Sequence, residues 1–183
     1  MYHSDFMRYG QWYRMAHEYI RTMYGHHADL FCDVLAATSP RVSVKANWKS
    51  AKRLVACWIE TGAIDHSAVI MRTHLPNVKR AFRREPLSGD KVSRFAANLK
   101  GNWDCVTIDV WVCKHYGVNP HALTPKLYKT LERRIRKDAK RHGVSPCEHQ
   151  ATLWQLTRMK DGRKPTSFLA ASFDDRQFLF QWA

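Results

Sequence analysis

The apolar positions of this chain recur at steps of three and four almost from end to end. Phe6, Tyr9, Tyr13, Ala16, Ile20 and Tyr24 predict a helix over residues 5–24, stopped by Gly25. Residues 28–38 carry Leu30, Phe31, Val34 and Leu35 with few polar positions, the pattern of a buried helix, and Ser39-Pro40 breaks it. Periodicity resumes over 43–60 through Val44, Trp48, Leu54, Val55 and Trp58, and Gly62 ends it. A short helix is expected over 67–72, then one from Pro76 to about position 84 with Val78 and Phe82 inward. After a turn at 86–90, residues 91–99 place Val92, Phe95, Ala96 and Leu99 on one face.

Capping residues sharpen the second half. Thr107 or Asp109 begins a helix that ends at Gly117. Thr124-Pro125 opens a long helix with Leu127, Leu131, Ile135 and Ala139 inward, closed by Gly143. Ser145-Pro146-Cys147-Glu148 is a capping box for a last helix reaching about position 160. Gly162 and Pro165 then break the chain, and 168–183 is aromatic-rich and irregular, a segment expected to pack back on the body. The prediction is an all-α protein with short turns and no internal repeat.

Charge changes this picture from a helical domain to one with a polyanionic partner. Of 183 residues, 30 are Lys or Arg and 16 are Asp or Glu, a formal net charge of +14. The five cysteines are scattered without a C-x-x-C pair, which argues against a disulfide scaffold or zinc ribbon and fits a reducing cytoplasm. No apolar run approaches the roughly 20 residues of a membrane span, and no pair of the ten histidines has H-x-x-x-H or H-E-x-x-H spacing.

The segment 87–111 holds the candidate chemistry. Ser88 and Gly89 make a turn between two helices, Lys91 lies in the first helical turn after it, and Asp109 follows 18 positions later at the next helix start. A turn of this kind aims backbone N–H groups at a phosphate. An amine at a helix N-terminus faces the positive end of the dipole, which disfavours its charged form.

Leu87-Ser88-Gly89, Lys91 and Ile108-Asp109 together resemble the helix-hairpin-helix DNA glycosylase superfamily, of which endonuclease III is a member. The hairpin would span about 76–99. Upstream, 35–45 (L-A-A-T-S-P-R-V-S-V-K) resembles the loop that enters DNA beside a flipped base, with Thr38 or Arg41 as the inserting residue. The chain departs from the family in a hairpin two residues shorter, with Asp90 where glycine and a basic residue stand, and in lacking the cysteine quartet of iron–sulfur members, so no cofactor is implied.

The resemblance implies a two-lobed fold, about 28–116 in one lobe and 1–27 with 117–183 in the other. It implies a compact, phage-like enzyme acting as a monomer on double-stranded DNA, with no membrane partner. Lys91 would attack C1′ and displace the base, and Asp109 would take its proton and stabilise charge on the sugar, with strand cleavage as a second step. Thr38, Ser39, Arg41, Lys45, Lys49, Ser88, Gly89 and Arg94 would contact DNA, and Trp111 would line the base pocket.

Each residue also has a plainer role. Lys91 fits a phosphate contact, Asp109 an ordinary N-cap, and the basic residues of 126–141 a solvated face. Trp48, Trp58, Trp103, Trp111 and Trp154 fit a core. Two other functions share the fold: a DNA-binding module without catalysis, and a phage-type transferase that modifies a flipped base.

Overall fold

The computed structural model describes residues 3–166. Within them the backbone is helices and turns, with no strand; the aromatic segment 168–183 lies outside the described residues. Helix α1 (His3–Asp5) runs into a π turn (Phe6–Gly10) and then α2 (Trp12–Tyr24). The helix expected over 5–24 is thus interrupted, although its inward residues Phe6, Tyr9, Tyr13, Ala16 and Ile20 are all buried. Gly10 sits at the interruption because α9 comes close there: a Cβ on Gly10 would lie 3.3 Å from Glu148 Cβ.

Helix α3 (Ala28–Ala37) is apolar and buried among its neighbours except for Asp29 and Asp33, one turn apart, which pair with Arg21 and Lys100. It packs against α2, α4 (Val44–Thr61), α5 (Leu75–Phe82) and α6 (Asp90–Leu99). Ser43 caps α4 through the Ala46 N–H, and Gly62 ends it with φ +68°. Residues 67–72 do not form the expected helix. Two 3-10 turns, His66–Ala68 and Arg72–His74, flank an extended stretch there, and Arg53 fastens the first of them through Asp65 and Ser67 at 2.8 and 3.0 Å.

Past α6 the chain crosses to α7 (Val110–His115), α8 (Pro125–His142) and α9 (Pro146–Lys160). Thr124 caps α8 and the predicted Ser145–Glu148 capping box opens α9. The inward residues of α8 are Tyr128, Leu131, Ile135 and Ala139, with Tyr128 in the place expected for Leu127. No helix among the described residues is long and apolar enough to cross a membrane.

Among the described residues, side chains gather into two apolar clusters. The larger joins α2 to α3–α6, with Cys147 and Ala151 from α9. The smaller joins Val106, Ile108, Val112 and Cys113 to Tyr128, Leu131 and Ile135 of α8. Helix α2 therefore shares a core with α3–α6, and α7 shares one with α8. The site lies where the chain passes from the first cluster to the second.

Candidate active site

Local structure explains how Lys91 and Asp109 reach one cleft. In the turn between α5 and α6, the Asn77 amide clamps Ser88, accepting its N–H at 2.8 Å and donating to its carbonyl at 3.0 Å. Arg80 donates to the Pro86 carbonyl at 3.2 Å. Gly89, at φ +92°, begins α6 without a side-chain cap; L-residues rarely adopt that angle. The expected phosphate grip thus cannot use the Ser88 N–H, which Asn77 already holds. It narrows to Gly89 and the first turn of α6, where Asp90 is exposed.

Lys91 turns inward from that first turn. Its Nζ donates to Ser39 Oγ at 2.7 Å and lies 5.5 Å from the Phe95 ring centroid. Ser39 in turn donates to the Ala36 carbonyl at 2.9 Å, so its hydroxyl keeps lone pairs for the amine. Burial lowers the Lys91 pKa below the ordinary lysine value, and the Asp109 charge opposes this.

The crossing from α6 to α7 is fastened from both sides. Buried Asn98 donates to the carbonyls of Asn102 and Cys105, each at 2.9 Å, and accepts from Thr107 at 2.8 Å. The Tyr128 hydroxyl donates to Val106 O at 2.8 Å and accepts from the Ile108 N–H at 3.1 Å. Asp109 is thereby fixed as the N-cap of α7. Its Oδ1 accepts the N–H groups of Trp111 and Val112 at 3.0 and 3.1 Å, and its Oδ2 accepts the Trp154 indole N–H at 2.8 Å. Burial raises its pKa, and the helix N–H groups, Lys91 and Trp154 counter that. The two pKa values move toward each other, which lowers the cost of passing a proton between the groups.

Lys91 and Asp109 form no direct ion pair among the described residues, but they line the same cleft of about 810 Å³. One wall is the loop 39–43 with Val44 and Lys45 of the first turn of α4. The other is α7, Leu123, Arg158 of α9, and Arg163 just beyond that helix. The His74 ring donates through Nε2 to the Pro40 carbonyl at 3.0 Å and braces the loop. At its tip Arg41 is held at φ +61°, a left-handed conformation that L-residues seldom occupy outside constrained sites. Arg41 and Lys45 face the cleft, and Lys49 lies exposed farther along α4.

Two expected DNA contacts, Thr38 and Arg94, need revision, while Ser39 lines the cleft. Thr38 is fully buried, its hydroxyl 2.7 Å from Asn47 Oδ1 and 2.9 Å from Val34 O, so it closes α3 and cannot enter DNA. Ser39 holds the Lys91 amine. Arg94 does not line the cleft: its guanidinium pairs with Glu132 at 3.6 Å and reaches Cys105 Sγ at 3.9 Å.

Trp111 does line the cleft, with Arg158 6.0 Å and Lys114 5.7 Å from its ring centroid. The basic face of α8 is exposed, with Arg136 on Glu132 and Arg141 on Asp138.

Sequence reasoning missed Trp154 and Arg158. Trp154, expected in the core, holds Asp109, and Arg158 lies 4.3 Å from the Trp154 ring centroid at the cleft. A helical period marks an inward face but carries no sign of what that face meets. A smaller pocket of about 100 Å³ lies alongside, sharing Ser39, Lys91, Asp109 and Trp154 with the cleft.

Neither the curated proteins nor the solved structures contain a match to this chain. A family model does match, over residues 3–161, and by that match the chain belongs to DUF7178, a family of unknown function.

Proposed function

We propose that this protein excises a base from double-stranded DNA by amine attack on the sugar. The observation that carries the reading is the pairing of a half-buried, Ser39-anchored lysine with an N-cap aspartate in one cleft rimmed by Arg41, Lys45, Arg158 and Arg163. The basic rim holds the phosphate backbone, and the target nucleotide turns out of the duplex to reach the site.

The Lys91 nitrogen then forms a bond to C1′ while the glycosidic bond breaks, and the base leaves with the bonding electron pair and takes up a proton. Asp109 receives the proton that the attacking amine loses and stabilises positive charge on the sugar. Ring opening leaves a Schiff base, and β-elimination from it breaks the 3′ C–O bond. If Lys91 only positions substrate, Asp109 would activate a water to attack the same carbon.

The test is base release and strand nicking on duplexes carrying uracil, oxidised or alkylated pyrimidines and purines, hypermodified thymine, or an abasic site. Release of one base class by the wild type, lost in Lys91→Gln and Asp109→Asn, supports the reading. Tight DNA binding without release of any base would leave a binding module or a base-modifying transferase in its place.

A further inference from the structure

Behind Lys91 and Asp109 the smaller pocket, about 100 Å³, is walled by Trp12, Phe95 and Trp154, with Tyr13 and Gln150 among its lining residues. Trp12 lies 5.9 Å from Trp154 and 6.2 Å from Phe95 between ring centroids, so aromatic faces converge on a narrow space. Gln150 is 3% exposed, and its Oε1 accepts the Tyr13 hydroxyl at 3.0 Å. With the carbonyl end held, the amide nitrogen has no hydrogen-bond partner among the described residues. That donor keeps access to the pocket space and is left for a ligand or water there.

We infer that this pocket binds a single six-membered heteroaromatic ring, a pyrimidine base, with a ring carbonyl oxygen accepting from the Gln150 amide. The inference rests on the base-excision reading for how the ring arrives, but the pocket's own chemistry carries the choice of ring. Size argues against two rings: about 100 Å³ is below the roughly 150 Å³ that accommodates benzene, so even one ring fills the pocket and reaches into the cleft with which it shares Ser39, Lys91, Asp109 and Trp154. The aromatic walls argue for a flat, polarisable ligand, because stacking tolerates any base face. The Gln150 donor argues for a carbonyl edge, which uracil and thymine present twice. The oxopurines hypoxanthine and guanine share the carbonyl but not the size.

The test uses free bases and the native tryptophans as reporters. Uracil and thymine are titrated against the intact protein and compared with hypoxanthine and guanine, following quenching of tryptophan fluorescence. Saturable quenching by the pyrimidines, with purines at least tenfold weaker, is expected.

Gln150→Glu keeps an acceptor for Tyr13 and removes the donor, and Gln150→Leu removes both. Each is expected to weaken uracil tenfold or more while leaving the affinity for a duplex with a tetrahydrofuran abasic analogue unchanged. Equal or tighter purine binding, absent pyrimidine quenching, or a folded Gln150→Glu protein that binds uracil like the wild type overturns the inference. Failure of the wild type to bind the abasic duplex would instead sink the DNA reading, and the pyrimidine result would stand without it.

Discussion

The indole N–H of Trp154 donates to Asp109 Oδ2 at 2.8 Å, joining two residues 45 positions apart in the chain. The contact completes the carboxylate, because the other oxygen is occupied by the first N–H groups of α7. It also favours the ionised form against burial. Trp154→Phe preserves the ring and removes the donor. A hydrogen bond to a charged group is worth about 1.5–3 kcal/mol, so single-turnover base release should fall by about 10–100-fold. Loss of a contact that lowers the Asp109 pKa should also move the acid limb of the pH–rate profile to higher pH. A purely structural role for Trp154 predicts no such shift.

Ser39 and Thr38 are adjacent but should respond differently. Ser39→Ala removes the acceptor of the Lys91 amine; covalent chemistry should slow severalfold while affinity for an abasic duplex stays within twofold, about 0.4 kcal/mol. Thr38→Val strands buried Asn47 Oδ1 and should cost about 1–3 kcal/mol of stability with duplex affinity unchanged. Paired urea melts and duplex titrations separate the two. A large loss of duplex affinity in Thr38→Val, without unfolding, would restore Thr38 as a DNA contact.

The rim makes a prediction in salt. If Arg41 and Lys45 each neutralise a phosphate, the log–log dependence of duplex affinity on salt should be steep, and each alanine substitution should flatten its slope by about one. Arg94→Ala should leave the slope unchanged, because its partner is Glu132. Fluorescence anisotropy over a salt series measures all three.

His149 predicts an acid-sensitive fold. Its ring is buried against Phe6 and His142, with centroids 5.6 Å away in each case, and burial pushes its pKa down to about 4. An unfolded histidine titrates near 6.5, so between these values the unfolded chain binds more protons than the folded one. Stability from this group is full above about pH 6.5 and is lost progressively as pH falls toward 4. From pH 7 to pH 5 the wild type should lose about 2 kcal/mol more than His149→Phe, read from urea unfolding at the two pH values. Parallel losses would remove His149 as the cause.

Much of the fold was legible because its helix ends carry their own chemistry. Ser43, Asp109, Thr124 and the Ser145–Glu148 pair each cap the helix they precede, and Gly62 and Gly143 close theirs. The π turn at Phe6–Gly10 was not legible, since it answers the approach of α9 rather than a local signal. Nor was Thr38, where a polar residue before a loop resembles a contact residue until the nearby Val34 carbonyl and Asn47 occupy its hydroxyl. Lys91 and Asp109 could be singled out through the motif resemblance they carry, but Trp154 and Gln150 read only as inward positions of α9. Their roles depend on a cleft that tertiary packing creates.

In the proposed chemistry the Lys91 amine is the nucleophile. Borohydride trapping on a duplex with an abasic site reads this, with wild type, Lys91→Gln and Asp109→Asn side by side across pH. A covalent protein–DNA band is expected that grows as pH rises through a Lys91 pKa below the ordinary lysine value. That band should vanish in Lys91→Gln. In Asp109→Asn it should form about 10²-fold or more slowly and reach half its maximum at lower pH, because the charge that raises the Lys91 pKa is gone. A band that persists in Lys91→Gln, or a wild type that binds the duplex tightly and is never trapped, would contradict that chemistry.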